Sequence, residues 1–387
     1  MLSSTTKNQA LVLDIGTTGI KALVFDRSGQ IIFKSYRAIG KEISHNGLWV
    51  EQDPLEMVKL SIEVLQEATK RAGVTPATCC GLGITNQRET VVLWNKETGE
   101  PVYKAVVWED ARTTDLCQEI KEKYGTEIRE ATGLTVDTYF SASKIKWVLE
   151  YLNLPADFPL AVGTVDSWLV FNLVKGRPHL TDYTNASRTL LFDIHKKTWS
   201  ERLASYWNIT TDILPVAQPS LSNFGDLDEN ILGYSLPVVA SCGDQQASLY
   251  AATKRGADTK VTYGTGTFLL QSIGKFILKE NFFTTLSAEG YALEAKVGTY
   301  GKRTEALLEA GQPLRPLVEE MTLATATYLK KLPFTPTKVI LDGGITQAAD
   351  LLPLQTEAAP DLEFEVQEPF DGTALGIAQM VFDAEVS

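Results

Sequence analysis

Two stretches far apart in the chain share one plan. "LVLDIGTTGIKALVFDRSG", Leu11 to Gly29, runs from apolar residues through Asp14 into a Gly-Thr-Thr-Gly turn and back to apolar residues. "KVTYGTGTFLLQSIG", Lys260 to Gly274, repeats strand, glycine-threonine turn and strand. Glycines at 16 and 19 permit backbone conformations closed to other residues, so the first stretch reads as a hairpin. Its strands are Ala10 to Leu13 and Ile20 to Phe25, and a further turn at Asp26 to Gln30 precedes Ile31 to Phe33. Such a turn points successive N–H groups into a concavity suited to an anion. Thr17 and Thr18 add hydroxyl donors, Lys21 adds a charge, and Asp14 is able to hold a magnesium ion directly or through water. The same residues equally suit a hairpin whose threonines only cap the turn. A second copy this far along the chain is what an internal duplication produces, and two copies imply two related lobes.

Composition narrows the choice. At 387 residues, 44% hydrophobic and 22% charged, the chain has the length and apolar content for about two globular domains. Its net charge of -12, without a basic run, argues against a nucleic-acid partner. Met1 to Gln9 is polar and no stretch approaches the roughly 18 apolar residues of a membrane span, so a cytoplasmic protein without membrane insertion is expected. Cys79, Cys80, Cys117 and Cys242 show no metal-ligand spacing and read as reduced structural thiols. Neither hairpin is a P-loop, and Gly264-Thr265-Gly266 lacks the third glycine of a dinucleotide fingerprint. A third glycine turn, Asp342-Gly343-Gly344 in "VILDGGITQAADLLPLQ", follows a strand and is expected to open a helix whose N-terminus can approach a nucleotide.

Between the hairpins lie polar clusters at the ends of apolar runs. In "GLGITNQRET", Arg88 beside Glu89 offers a donor fork and an acceptor to neighbouring hydroxyls, or forms a surface ion pair. "AVVWEDARTTD" repeats that shape with Trp108, Glu109, Asp110 and Arg112. "VDTYFSASKIKWVLEYL" enters a helix at about Ser141, with Ile145, Val148, Leu149 and Leu152 on one face; Tyr139, just before it, faces either a cleft or the core. In "LPVVASCGDQQASLY" a strand ends at Gly243 and a helix begins, so Asp244 is either an N-cap or a carboxylate ready to take a proton from an attacking hydroxyl during phosphoryl transfer. The three histidines lie in polar or turn contexts without a nucleophile motif.

The ordered motifs "DIGTTGIKALVFD", "GITNQRET", "VVWEDART", "GLTVDTYFSASKIKW", "GTVDSWLVFNL", "TDYTNASRTLLFDIH", "GDQQASL" and "YGTG" resemble those of the FGGY carbohydrate kinases. The resemblance implies an α/β fold of two actin-like or hexokinase-like (ribonuclease H-like) lobes around a central cleft. Residues 1–250 would form the N-terminal, polyol-binding lobe and 251–387 a reduced C-terminal, nucleotide-binding lobe. It implies ATP-dependent phosphorylation of glycerol, with Asp244 as general base and Asp14 as the magnesium-associated carboxylate. Arg88, Glu89, Tyr139, Asp244 and Gln245 would hydrogen-bond the polyol while Trp108 and Phe268 wall its carbons. Thr17, Thr18, Gly19, Lys21 and Thr265 would contact the ATP phosphates, with Gly344 beside the nucleoside. Members of the family form dimers or tetramers, so a homodimer is among the implied assemblies. Ile15 and Lys21 stand where members acting on glycerol usually carry Gln and Arg, which keeps another polyol or sugar open as acceptor, and a non-catalytic ligand-binding relative is the remaining alternative. The family's "AFxGLGAPYW" segment is missing between Gly266 and Asp342, and an amphipathic helix at about Pro316 to Lys331 is expected there. "EPFDGTALGIAQMVF" matches the family's closing helix, so the shortening is internal.

Overall fold

The computed structural model describes residues 7–155, 157–264, 266–368 and 371–385. The chain forms two compact units, one running to Asp244 and resuming at Ile377, the other comprising Gln245–Gly376. The expected division at 250/251 falls inside the Asp244–Lys254 helix, whereas the structure divides the chain at that helix's first residue. The end of the chain belongs to the first unit.

The first unit is organised by a five-stranded sheet in the spatial order Val238–Gly243, Cys79–Asn86, Gln9–Ile15, Gly19–Asp26, Ile31–Ala38. The Gly-Thr-Thr-Gly turn joins an antiparallel pair in which Asp14 faces Lys21 and Ile15 faces Ile20, as the glycine spacing predicts. Both strands and the next one run longer than their apolar cores alone indicate. Gln9–Ile15, Cys79–Asn86 and Val238–Gly243 run parallel. The first two are buried throughout, because helices cover both faces, and they read as nearly continuous apolar runs rather than alternating ones.

One covering helix, Pro54–Ala72, is specified at both ends. The Asp53 carboxylate accepts from Leu55 N–H at 2.8 Å, Pro54 supplies a preset φ in the first turn, and Gly73 ends the helix at φ 64°. Its buried face carries Met57, Ser61, Val64, Leu65 and Ala68, spaced at helical period, and it packs on the Gly19–Asp26 and Ile31–Ala38 strands. The other face of the sheet approaches the closing helix, Gly372–Ala384: a Cβ on Gly83 would lie 2.3 Å from Ile377 Cγ2 and 2.9 Å from Val381 Cγ2. A second sheet in this unit, ordered Glu42–Ser44, Trp49–Gln52, Ala105–Val106, Val91–Asn95, Leu160–Thr164, carries Gln52 and the segments leading to Thr90 and Trp108.

The second unit repeats the plan. Its sheet runs Phe283–Ser287, Gly290–Thr299, Gly266–Ile273, Thr259–Tyr263, Val339–Asp342, Phe364–Val366. Thr259–Tyr263 and Gly266–Ile273 form an antiparallel hairpin that continues antiparallel into Gly290–Thr299, while Val339–Asp342 and Phe364–Val366 run parallel to the first strand. Leaving aside the Phe283–Ser287 edge strand, the arrangement matches that of the first unit, so both units are ribonuclease H-like and the duplication read from the two hairpins is present in the fold. The amphipathic helix expected at Pro316 to Lys331 runs Arg315–Leu329 and buries Leu317, Val318, Met321 and Leu329. One expectation needs correction. No α-helix opens at Gly344: a 3-10 turn spans Gly344–Gln347, and the α-helix starts only at Leu351. The cause is local, since Gly343 sits at φ 94° with Tyr263 O only 2.4 Å from where its Cβ would be, and the chain leaves this tight crossing in a turn.

The close approach at Gly83 yields a prediction. Gly83→Val forces two branched side chains out of a closed layer and should lower the unfolding free energy by about 2–3 kcal/mol, read as a shifted urea midpoint. An unchanged midpoint would show that the closing helix does not pack there.

Candidate active site

Three parallel strands of the first unit end level with one another. Ile15 is the register partner of Asn86, and Asn86 is the register partner of Gly243. The Gly-Thr-Thr-Gly turn begins one residue beyond the first strand end, Arg88 lies two beyond the second, and Asp244 one beyond the third. Side chains launched from the carboxyl ends of adjacent parallel strands converge, which is where open α/β sheets place their ligands.

Arg88 is the hub of this convergence. Its guanidinium is 2% exposed and its Nε lies 3.1 Å from Asp244 Oδ1, while Asp244 keeps a third of its side chain accessible. Arg88 Nη2 donates to Tyr139 OH at 3.4 Å, and its Nε is 3.8 Å from Glu89 Oε1. Tyr139 meets Trp108 edge to face at 5.6 Å between ring centroids. Trp108 Nε1 in turn donates to Thr17 Oγ1 at 2.9 Å, which ties the aromatic wall to the glycine turn. Within that turn Lys21 Nζ donates to Asp14 Oδ2 at 3.0 Å. Gly19 faces Tyr36, whose exposed ring lies 2.1 Å from a Cβ placed there, and Thr18 is exposed. Asp14, Thr17, Lys21, Arg88, Glu89, Trp108, Tyr139 and Asp244 are thereby linked in one unit, with Thr18 and Gly19 in the same turn.

The remaining candidates belong to other parts of the chain. Gln245, Phe268 and Gly344 belong to the second unit, and Thr265 lies outside the described residues. Gln245 Oε1 accepts from the buried Lys260 Nζ at 2.6 Å. Phe268 packs against Leu249, Leu270 and Ala292. Gly344 lines a groove of about 560 Å³ with Gly264, Thr304, Leu314, Gln347 and Ala348.

Several supporting residues carry no signal that a motif reading singles out. Arg188 is buried, donates to Glu89 Oε1 at 2.6 Å, and lies 5.1 and 5.0 Å from the ring centroids of Tyr139 and Phe140. Lys144 is wholly buried and donates to the carbonyls of Tyr139 and Phe140 at 2.7 and 3.0 Å. Burial pulls its pKa down to about 8 against the opposing pull of Glu89 and Asp110. Gln52 donates to Thr17 O at 2.9 Å, and Thr90 Oγ1 accepts from Trp108 N–H at 3.1 Å. Only a three-dimensional arrangement brings these residues to the site. Arg112, by contrast, serves the fold: it lies 4.1 and 4.5 Å from the ring centroids of Trp49 and Trp147 and pairs with Glu51 and Asp110.

A magnesium ion that keeps most of its water needs only one or two protein carboxylates. Asp14 supplies one carboxylate with Oδ2 on Lys21, and among the described residues no group of three His, Cys, Asp or Glu is arranged to enclose a metal. Among those residues no helix is long and apolar enough to cross a membrane, and all four cysteines are buried free thiols.

A match to the N-terminal domain model of the FGGY family of carbohydrate kinases covers residues 9–251, and the chain belongs to that family. It is 40% identical over 328 residues to glycerol kinase 2 of Thermotoga maritima, covering 81% of this chain and 66% of that protein. It is 43% identical over 298 residues to glycerol kinase of Clostridium botulinum, covering 74% of this chain and 60% of the relative. The chain thus spans about 60–66% of the length of these relatives, in keeping with a shortened C-terminal domain. Among solved structures, Plasmodium falciparum glycerol kinase with ADP matches with a TM-score of 0.88 at 27% identity, over 98% of this chain and 90% of that one. A ligand-bound xylulose kinase from Lactobacillus acidophilus, 13% identical with a TM-score of 0.86 over 98% and 89% of the two chains, shares the fold.

The Glu89–Arg188 pair sets a test of the site's framework. Arg188→Met leaves Glu89 buried without its nearest counter-charge and should cost about 3–5 kcal/mol of stability. Adding Glu89→Leu should recover most of that loss, measured as urea midpoints in a double-mutant cycle. Additive losses would show that the two side chains act independently.

Proposed function

We propose that the protein is an ATP-dependent kinase that phosphorylates glycerol, with Asp244 as general base. The observation that carries this reading is the Arg88–Asp244 pair at 3.1 Å, set at level strand ends beside Tyr139, Trp108 and the Gly-Thr-Thr-Gly turn. Identity of 40–43% to glycerol kinases supports glycerol as the acceptor.

In the reaction an acceptor hydroxyl gives its proton to the Asp244 carboxylate as its oxygen bonds to the terminal phosphorus of ATP; the bond from that phosphorus to the bridging oxygen breaks and ADP leaves. Arg88 holds Asp244 at Oδ1, so the carboxylate is oriented before the acceptor arrives. Arg88, Glu89, Tyr139 and Gln245 bind the hydroxyls. A small triol requires such a dense polar set, because an analogue lacking one hydroxyl leaves a buried group unpaired. Trp108 and Phe268 enclose the carbon skeleton. Thr17, Thr18, Gly19, Lys21 and Thr265 take the phosphates, and the groove at Gly344 takes the nucleoside. Asp14 would hold magnesium, which when bound neutralises phosphate charge and assists orientation of the transferred group. Lys21 meets phosphate as a point charge rather than the planar fork of an Arg.

Ile15 and Lys21 favour a second reading, in which the acceptor is another polyol or sugar. The deciding measurement is glycerol-dependent ADP formation with ATP and magnesium, beside a panel of polyols and sugars. Turnover on glycerol is expected, and Asp244→Asn should lower kcat by about 10²–10⁴-fold. Turnover on a different acceptor alone would establish the second reading; none with any acceptor and several donors would remove kinase activity altogether.

A further inference from the structure

One buried carboxylate outside the proposed substrate contacts is joined to both halves of the Arg88–Asp244 pair. Asp182 is fully buried at the start of the one-turn Tyr183–Ala186 helix. Capping that turn occupies two backbone donors: Thr184 N–H to Oδ2 and Asn185 N–H to Oδ1, both at 2.9 Å. Three side-chain donors also converge on the same carboxylate, namely Thr184 Oγ1 at 2.7 Å, Ser220 Oγ at 2.6 Å and Asn185 Nδ2 at 2.8 Å.

Two of these donors lead onward to a strand end. Thr184 Oγ1 accepts from the amide of Gly243 at 2.8 Å, and Gly243 immediately precedes Asp244. The Val238–Gly243 strand lies at the edge of its sheet, so its outward amides have no strand partner. Thr184 satisfies that of Gly243, and Ser220 O accepts that of Ser241 at 3.0 Å. On the other side Asn185 and Asn86 exchange amide hydrogen bonds at 3.0 and 3.2 Å, and Asn86 Nδ2 also donates to Gln87 O at 2.9 Å. Gln87 is followed by Arg88. Asn86 and Gly243 are register partners, so Asp182 holds the two strand ends from which the ion pair is launched, one through Thr184 and the other through Asn185.

We propose that Asp182 is a positioning residue for phosphoryl transfer: its Thr184 arm aims Asp244 and its Asn185 arm aims Arg88. This assignment rests on Asp244 being the general base. It divides the kinetic consequences, because a misdirected base slows the proton-coupled step whereas a displaced Arg88 weakens acceptor binding.

Asp182→Asn would mix loss of the cap with loss of both arms, so the informative variants lie one bond away. Thr184→Val keeps the shape and both backbone caps but removes the acceptor for the Gly243 amide. It should lower kcat by about 10–100-fold with the acceptor KM within about twofold, and Thr184→Ser should restore kcat to within about threefold. Asn185→Ala should instead raise the acceptor KM about tenfold with kcat within about threefold. Melting temperatures are measured in parallel, and hydrogen exchange at the Gly243 amide supplies a readout that needs no turnover. Exchange there should accelerate in Thr184→Val and stay slow in Thr184→Ser. Wild-type kinetics in folded Thr184→Val, losses that only track the unfolded fraction, or unchanged Gly243 exchange would each overturn the assignment. If the wild-type protein turns over no acceptor while Gly243 exchange responds as stated, the kinase reading fails and the tether itself stands.

Discussion

The register of three parallel strands is the constraint on which the rest of the first unit depends. Ile15, Asn86 and Gly243 are level only because Gln9–Ile15, Cys79–Asn86 and Val238–Gly243 pair in one alignment. A slip by one residue would send every side chain to the opposite face. The two inner strands are apolar on both faces, so hydrophobicity alone specifies their register weakly. Glycines supply the missing specificity. Gly81 lies where a Cβ would be 2.8 Å from Pro237 O, and Gly83 admits Ile377 and Val381; moving either by one position would set a side chain against them.

The charges at the strand ends form an alternating set rather than isolated pairs. Arg88 lies between Asp244 and Glu89, and Glu89 lies between Arg88 and Arg188. Desolvating these ions costs several kcal/mol each, and only close opposite charges and hydrogen bonds offset that cost. Such an arrangement contributes little to stability compared with an apolar core, and what it supplies is orientation: each charged group is held in place by its neighbours. Lys144 fits the same economy of position, since a fully buried ammonium whose hydrogen bonds go to two carbonyls fixes the Tyr139–Phe140 turn although burial disfavours its charge.

Features governed by short-range chemistry were legible in the sequence. The Gly16–Gly19 turn, its second copy, the helix entry at Ser141 and the strand-to-helix junction at Asp244 are each announced by residues within a few positions of one another. The strand candidates for substrate contact, Arg88, Glu89 and Trp108, were visible as polar clusters ending apolar runs. Arg188 and Asp182 were not, because Arg188 pairs with Glu89 and the Asp182 cap reaches Asn86 and Gly243, all far away in the chain, and Lys144 was not, because a lysine at a helix start gives no sign that it will be buried against the Tyr139 and Phe140 carbonyls. Gly344 misled for a related reason. Gly-Gly after a strand ordinarily opens a helix, but a crossing against Tyr263 O dictates a turn first.

The two units divide the proposed work unequally, and the shortening falls on one part of it. Every residue of the charged and aromatic cluster around Asp244 lies in the unit that the family model matches. In the second unit the groove at Gly344 has a volume suited to a nucleoside-sized ligand, and among the described residues its lining includes Leu308, Leu314, Ile345 and Ala348 beside Thr304 and Gln347. An apolar groove holds a planar base by burial, which differs little from one base to another, whereas discrimination requires paired donors and acceptors. Under the kinase reading, the buried charges proposed to meet the acceptor, Arg88 and Glu89, belong to the first unit, while Gln245 and Phe268 belong to the second. Under the same reading the donor would be held chiefly through its phosphates, which all nucleoside triphosphates share.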